Sequence, residues 1–149
     1  MQRQLTIGLL LIGLWVSMSG CNREVAVAAE PNVIELAGTS WRLVRIQSMD
    51  DTEYVPEDRS KYTLALQADG GAAIRADCNR GKGTYTAESP SRLQFGPIAS
   101  TKALCPPDSL HDVYLRQFEW VRSYVLKDGH LYLATMADGA IIEFEPISP

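Results

Sequence analysis

Alternating apolar and polar residues dominate the chain from residue 36 onward. Tyr62, Leu64 and Leu66 alternate with Thr63, Ala65 and Gln67, the period-two pattern of a half-buried strand. Leu93 and Phe95, Leu131 and Leu133, and Ile142 and Phe144 repeat it, the last pair with Glu143 and Glu145 on the solvent face. Trp41–Gln47 (WRLVRIQ) reads as a strand with Trp41, Leu43 and Arg45 on one face and Arg42, Val44 and Ile46 on the other. Ala72–Ala76, Gly83–Ala87 and Tyr124–Leu126 read as further short strands, and Ile98–Lys102 as extended chain. Between them lie turn signals: Asp69-Gly70-Gly71, Glu88-Ser89-Pro90-Ser91, Asp128-Gly129 and Asp138-Gly139. Ser48–Ser60 is a polar loop.

The period changes once. After Pro106-Pro107, the residues Leu110, Val113, Tyr114, Phe118 and Val121 recur at helical spacing. Ser109 and Asp112 have the S-x-x-D spacing of a capping box, which predicts an amphipathic helix of roughly three to four turns. The fold class expected is mainly β (α+β). It is a strongly curved antiparallel sheet or small open barrel of about eight strands, with one helix packed against it.

The first twenty residues follow another pattern. Arg3 gives a positive start, and Leu5–Val16 (LTIGLLLIGLWV) is an apolar run. It is too short to span a bilayer, which takes about 20 residues, and suits the core of a signal peptide. Ser17-Met18-Ser19-Gly20-Cys21 then resembles the lipobox of bacterial lipoproteins, with Met18 where leucine is usual. The resemblance implies cleavage before Cys21 and acylation of that cysteine; several acyl chains anchor stably where one does not. Residues 21–35 then form a lipidated cysteine and flexible tether, with NREVAVAAEPN (Asn22–Asn32) rich in small residues. Residues 36–149 form one domain.

Composition narrows the function. The 149 residues are 46% hydrophobic and 21% charged, a globular balance. The formal net charge of −4 argues against nucleic-acid binding, which needs clustered Lys and Arg. Of three cysteines, assigning Cys21 to lipid leaves Cys78 and Cys105 in an oxidising compartment, where a leftover pair usually bonds.

The candidate chemical sites are thin. Arg80-Gly81-Lys82-Gly83 lacks the spacing of a phosphate loop: Ala76 stands where the first glycine is required and Gly83 where Ser or Thr is. It reads as a tight turn in which Gly81 or Gly83 takes positive φ. Asp108, Ser109, His111 and Asp112 lie close together, but capping accounts for Ser109 and Asp112, and His111 is expected to face solvent. His130, beside Gly129, is expected to be exposed. Neither histidine stands at metal-ligand spacing, and the acidic stretch Met49–Glu53 lacks the calcium-loop pattern. No catalytic residue, metal or cofactor is expected.

Five stretches resemble the META domain family, also called HslJ-like, in order along the chain. They are LAGTSWRL (Leu36–Leu43), DCNRGKGTY (Asp77–Tyr85), LQFGPIASTKALC (Leu93–Cys105), SYVLKDGHLYL (Ser123–Leu133) and a final GAIIEF. Asp77 departs from the pattern, since glycine usually precedes that cysteine. The resemblance implies a compact antiparallel β structure with one helix, often anchored in the bacterial envelope, and no catalytic residues to carry over. Members are associated with heat shock, antibiotic tolerance and virulence. It also implies that Cys78 and Cys105 pair. Such a crosslink, closing a separation of 27 residues, is worth about 3–4 kcal/mol in the chain-entropy model. Asn79 is expected to satisfy backbone groups in the turn; Asn79, Arg80 and Lys82 are the candidate partner contacts.

The leading reading is a non-catalytic, monomeric, lipid-anchored envelope protein that binds a protein or envelope component in stress response or homeostasis. Asn22 after the lipidated cysteine implies outer-membrane sorting, facing the periplasm. A second reading is a periplasmic inhibitor of a protease or lysozyme. Gly38-Thr39-Ser40-Trp41 resembles the start of a lipocalin barrel, but with two residues between Gly and Trp where that signature has one. A third is a pilotin-like carrier of lipid or peptide. Nanomolar binding to a target enzyme would mark the second, and co-purifying lipid the third.

Overall fold

The computed structural model describes residues 36–148 except 89, 137 and 138. The readings placed on the leader, Cys21, Asn22 and the tether, and on Ser89 and Asp138, lie outside the described residues.

The strands are β1 (Thr39–Ser48), β2 (Glu53–Tyr54), β3 (Tyr62–Leu66), β4 (Gly71–Ala76), β5 (Asn79–Glu88), β6 (Arg92–Phe95), β7 (Ala99–Ser100), β8 (Val121–Lys127), β9 (His130–Thr135) and β10 (Ala140–Pro146). One helix, α1 (His111–Trp120), precedes β8. Eight strands run antiparallel around a ring in the order β1-β3-β4-β5-β6-β8-β9-β10. The last returns to the first through register pairs from Trp41↔Pro146 to Ser48↔Ala140. The curved sheet is therefore a closed barrel, which removes the exposed edges of an open one. The thinnest seam is β6–β8, joined at Arg92↔Ser123. β2 extends the ring beside β1, and β7 pairs with β5 below the end of β6.

Alternation fills the barrel. Tyr62, Leu64 and Leu66 of β3, Ala72 and Ile74 of β4, and Leu131 and Leu133 of β9 all point inward and are buried. Helix α1 adds Tyr114 and Phe118, both fully buried. Phe118 lies edge-on to Phe95 at 5.0 Å, and Tyr114 edge-on to Tyr62 at 5.7 Å. Each such pair adds about 0.5–1.5 kcal/mol beyond its buried area. The two-residue turn Asp128-Gly129 has both φ values positive (53° and 79°), the geometry that matches strand twist in a hairpin.

Two expectations change. In β1 the register jumps between Leu43↔Phe144 and Arg45↔Glu143, so Val44 is a bulge. The phase then reverses: Ile46 joins Trp41 and Leu43 inside, and Arg45 turns outward. At the helix start no capping box forms. Leu110 occupies the N-cap without a side-chain hydrogen bond, and α1 is ten residues long, somewhat under three turns. The Ser109 hydroxyl instead lies 3.2 Å from the Tyr62 hydroxyl, which itself accepts from the Leu110 N–H at 2.9 Å. A core tyrosine on β3 thus does the tethering expected of Asp112.

Candidate functional site

Residues 76–105 form the first region of interest. The β4–β5 hairpin turns at Asp77-Cys78, with Asp77 at φ +55°. This is the left-handed region that glycine adopts freely and aspartate tolerates, which accounts for the usual glycine there. Cys78 is disulfide-bonded to Cys105, with Cα atoms 5.6 Å apart. Asn79 is only 1% exposed. Its Oδ1 accepts from the Ala103 N–H at 2.8 Å and the Thr101 hydroxyl at 2.9 Å, and its Nδ2 donates to the Ala103 carbonyl at 3.2 Å. One amide thus stands in for a strand partner, and residues 101–105 are stitched to β5 from within. Asn79 is buried, and its bonds run to residues 101–105.

The run RGKG is strand, not turn, and neither glycine has positive φ. Both are needed for space. A Cβ on Gly81 would sit 3.0 Å from Ile98 Cγ2, and one on Gly83 would sit 2.9 Å from the Pro97 carbonyl oxygen. The glycines let segment 96–100 lie against β5. Arg80 and Lys82 point to the other side and are exposed.

That segment forms one wall of an open groove of about 670 Å³, with α1 as the other. Phe95, Ile98 and Leu115 give it an apolar floor, and Lys102, Asp112, Arg116 and Glu119 a charged rim. Strand alternation aims the backbone groups of Thr101 and Ala103 at β5. Those of Ser100, in β7, therefore face away from β5.

A third cluster lies on the outer face of β1, β9 and β10. Glu143, only 9% exposed, accepts from Arg45 Nε at 2.8 Å and from the Tyr132 hydroxyl at 3.3 Å. Its Oε1 lies 2.9 Å from His130 Nδ1, and Arg45 also reaches Glu53 at 3.0 Å. Burial pulls the Glu143 carboxyl up, but hydrogen bonds from His130 and Arg45, with the Arg45 charge, outweigh it and hold the carboxyl below its ordinary value. The expectations that Glu143 simply solvates the last strand and that His130 is exposed are corrected here: Glu143 is buried and His130 is half-buried against it.

Ser109, His111 and Asp112 do come together. Ser109 Oγ is 3.2 Å from His111 Nδ1, and His111 Nε2 is 3.4 Å from Asp112 Oδ1. His111 is half-buried rather than solvent-facing. Ser109 Oγ also lies 3.2 Å from the Tyr62 hydroxyl and accepts from the His111 backbone N–H at 3.4 Å, and Tyr62 accepts from the Leu110 N–H, so these contacts fasten the helix to β3. Among the described residues, no group of three or more His, Cys, Asp and Glu sits together as a metal site.

A META domain family model matches residues 34–147. The chain belongs to the META domain family. The fold is shared with two solved structures. One is a protein from Burkholderia xenovorans solved by NMR (TM-score 0.65, 21% identity, covering 78% of this chain and 87% of that one). The other is a DUF4847 family protein from Bacteroides vulgatus solved by crystallography (TM-score 0.57, 15% identity, covering 76% and 96%). No curated protein matches the chain.

In this META domain, the groove and the Glu143 cluster were not visible from sequence spacing. A partial signal existed. Arg45 and Glu143 are opposite charges on strands that both border a barrel seam, a pairing that favours facing positions. The Val44 bulge hid it by setting Arg45 a step out of phase.

Proposed function

We propose that this META domain is the non-catalytic binding module of a lipid-anchored envelope protein, holding a protein or envelope component in stress response or homeostasis. Acylation at Cys21 tethers it to the outer membrane on the periplasmic side, and the groove between α1 and segment 95–102 is the binding surface. The observation that carries the reading is the groove itself. It combines an apolar floor, a rim of both charge signs and the free backbone side of Ser100 in β7, the mixture that an extended polypeptide satisfies. The barrel interior is filled by side chains, which favours a ligand held in the groove over a lipid carried inside the barrel. The groove is also the surface that an inhibitor reading would use.

Photo-crosslinkable residues in place of Ser100 and Leu115, expressed in the native envelope, test this. The expected result is one discrete adduct from both positions, absent when the probe replaces Lys127 and lost on adding Arg116→Glu. Adducts of equal yield from all three positions would sink the proposal. The intact mass of the native protein, before and after reduction, checks the anchor separately.

A further inference from the structure

Arg75 of β4 stands directly opposite Arg80 of β5. The Arg80 N–H donates to the Thr101 hydroxyl, and its carbonyl accepts from the Thr101 N–H. Its backbone therefore faces β7, and Arg75↔Arg80 is a pair without mutual backbone bonds, the kind whose side chains stand closest. Like charges so placed repel. Among the described residues neither arginine forms an ion pair. Arg80 Nη1 donates to the carbonyls of Asp77 and Asn79, both at 3.0 Å. Arg75 Nη1 reaches the Ser60 carbonyl at 3.4 Å, and its Nε is buried without a partner.

Lys82 follows on the same face of β5, exposed and likewise without a described ion pair. Opposite it stand Ala73 on one side and Ala99 on the other, with Ala65 beyond. The side chains between the cations are small. Residues 62–66, 71–76 and 79–87 contain no Asp or Glu. Of the carboxylates at the margin of this face, Asp77 pairs with Lys61 at 3.6 Å and Glu145 with Arg42 at 2.9 Å and Arg59 at 3.2 Å, while Asp58, which accepts from the Ser60 N–H at 2.9 Å, also feels the Arg75 charge at the edge of the face.

We propose that this face, centred on Arg75, Arg80 and Lys82, docks the domain onto an anionic lipid surface. A small anion would call for a concave site; a row of cations without ion pairs along an outer strand face matches phosphates spread in a plane. Residues 22–35 reach at most about 50 Å, so the anchored chain keeps this face within range of the bilayer. The remaining surface carries the excess negative charge of an acidic chain, so repulsion elsewhere orients the domain with this face down. The argument uses the anchored reading only for proximity to the membrane.

The barrel, its core and its disulfide lie wholly within residues 36–148, so a chain from residue 22 onward, without leader or lipid, folds as described. Its co-sedimentation with vesicles is the test. One set is phosphatidylcholine alone, the other includes phosphatidylglycerol as about a third of the lipid. Binding is expected to the anionic vesicles alone and to fade toward about 0.15 M salt, where screening sets in within about 8 Å. Lys82→Glu, whose side chain bonds nothing in the fold, is expected to lower partition at least about fivefold. Arg80→Glu with Lys82→Glu is expected to lower it further, and Lys127→Glu on β8 to leave it unchanged. A thermal melt checks that the double variant, which loses two bonds to the turn, still folds. No partition by the wild type, an unchanged Lys82→Glu or an equal loss from Lys127→Glu would overturn the proposal. So would binding of polyglutamate in place of vesicles. Because the probe protein is unacylated, these failures leave the anchored reading standing.

Discussion

Among the described residues, Asn79 and Glu143 are the buried polar or charged ones apart from tyrosines, and the barrel treats them differently. Asn79 is neutral and inside, and its amide both donates and accepts, so a loop is pinned to a strand. Glu143 is charged, lies at the outer face, and gathers a guanidinium, an imidazole and a phenol around one carboxylate. A buried neutral amide that is fully bonded has no titrating group, so its contribution is independent of pH. A nearly buried carboxylate depends on partners that are themselves half in solvent: the side chains of Arg45 and His130 are 47% and 35% exposed. The first should be the larger and steadier contribution to stability, the second smaller and conditional.

The disulfide beside Asn79 sets the top of the scale. Replacing both Cys78 and Cys105 with alanine is expected to cost about 3–4 kcal/mol in urea unfolding. Asn79→Ala, with the disulfide intact, removes the buried amide that bonds the Ala103 N–H and carbonyl and the Thr101 hydroxyl, and is expected to cost about 1–2 kcal/mol. Because the two share the 101–105 segment, the triple variant should lose less than the sum of the separate losses. Full additivity would mean that the amide and the crosslink act on separate elements, and the pinning argument would fall.

Glu143→Gln keeps the shape and removes the charge. Its cost near neutral pH is expected to be about 1 kcal/mol, discounted for the exposure of Arg45. The sign of its pH dependence follows from the lowered carboxyl. A group whose pKa is lower folded than unfolded stabilises fully above its unfolded value, and that contribution disappears as pH falls through the folded one. The difference between wild type and Glu143→Gln in denaturant melts should thus be flat above about pH 5 and shrink on acidification. The difference between wild type and Asn79→Ala should stay constant over the same range. A Glu143→Gln difference that grew toward acid would contradict the bonding described here.

The same contrast marks what the sequence could reveal. Regular alternation in Tyr62–Leu66, Leu131–Leu133 and Ile142–Phe144 is a local signal, and those strands are found as read. So is the helix carrying Tyr114 and Phe118. The readings that changed depended on partners far along the chain. Gly81 and Gly83 suggested a turn, yet they are glycines because Pro97 and Ile98 press on β5. Ser109 and Asp112 matched a capping box, yet a hydroxyl 47 residues upstream takes the serine. Val44 contributes one extra residue, and one residue reverses the phase of all that follows. The groove is made of two elements whose adjacency no spacing encodes.

Tyr114 completes the comparison, as a polar group buried with neither treatment. Its ring is fully buried among Tyr62, Phe118 and Phe144, and its hydroxyl has no hydrogen-bond partner among the described residues. Burial alone pushes that phenol well above its ordinary pKa. A hydroxyl taken from water without a partner is a cost, whereas the ring earns its place through edge-on aromatic contacts. Tyr114→Phe keeps the ring and drops the uncompensated group, so it is expected to leave stability unchanged or raise it by up to about 1 kcal/mol. Tyr62→Phe is the matched control, because the Tyr62 hydroxyl does bond Leu110 and Ser109 and its loss should cost about 1 kcal/mol. If Tyr114→Phe instead cost as much as Tyr62→Phe, the buried hydroxyl would have a bonded partner, and the core would hold a second tyrosine anchored as Tyr62 is.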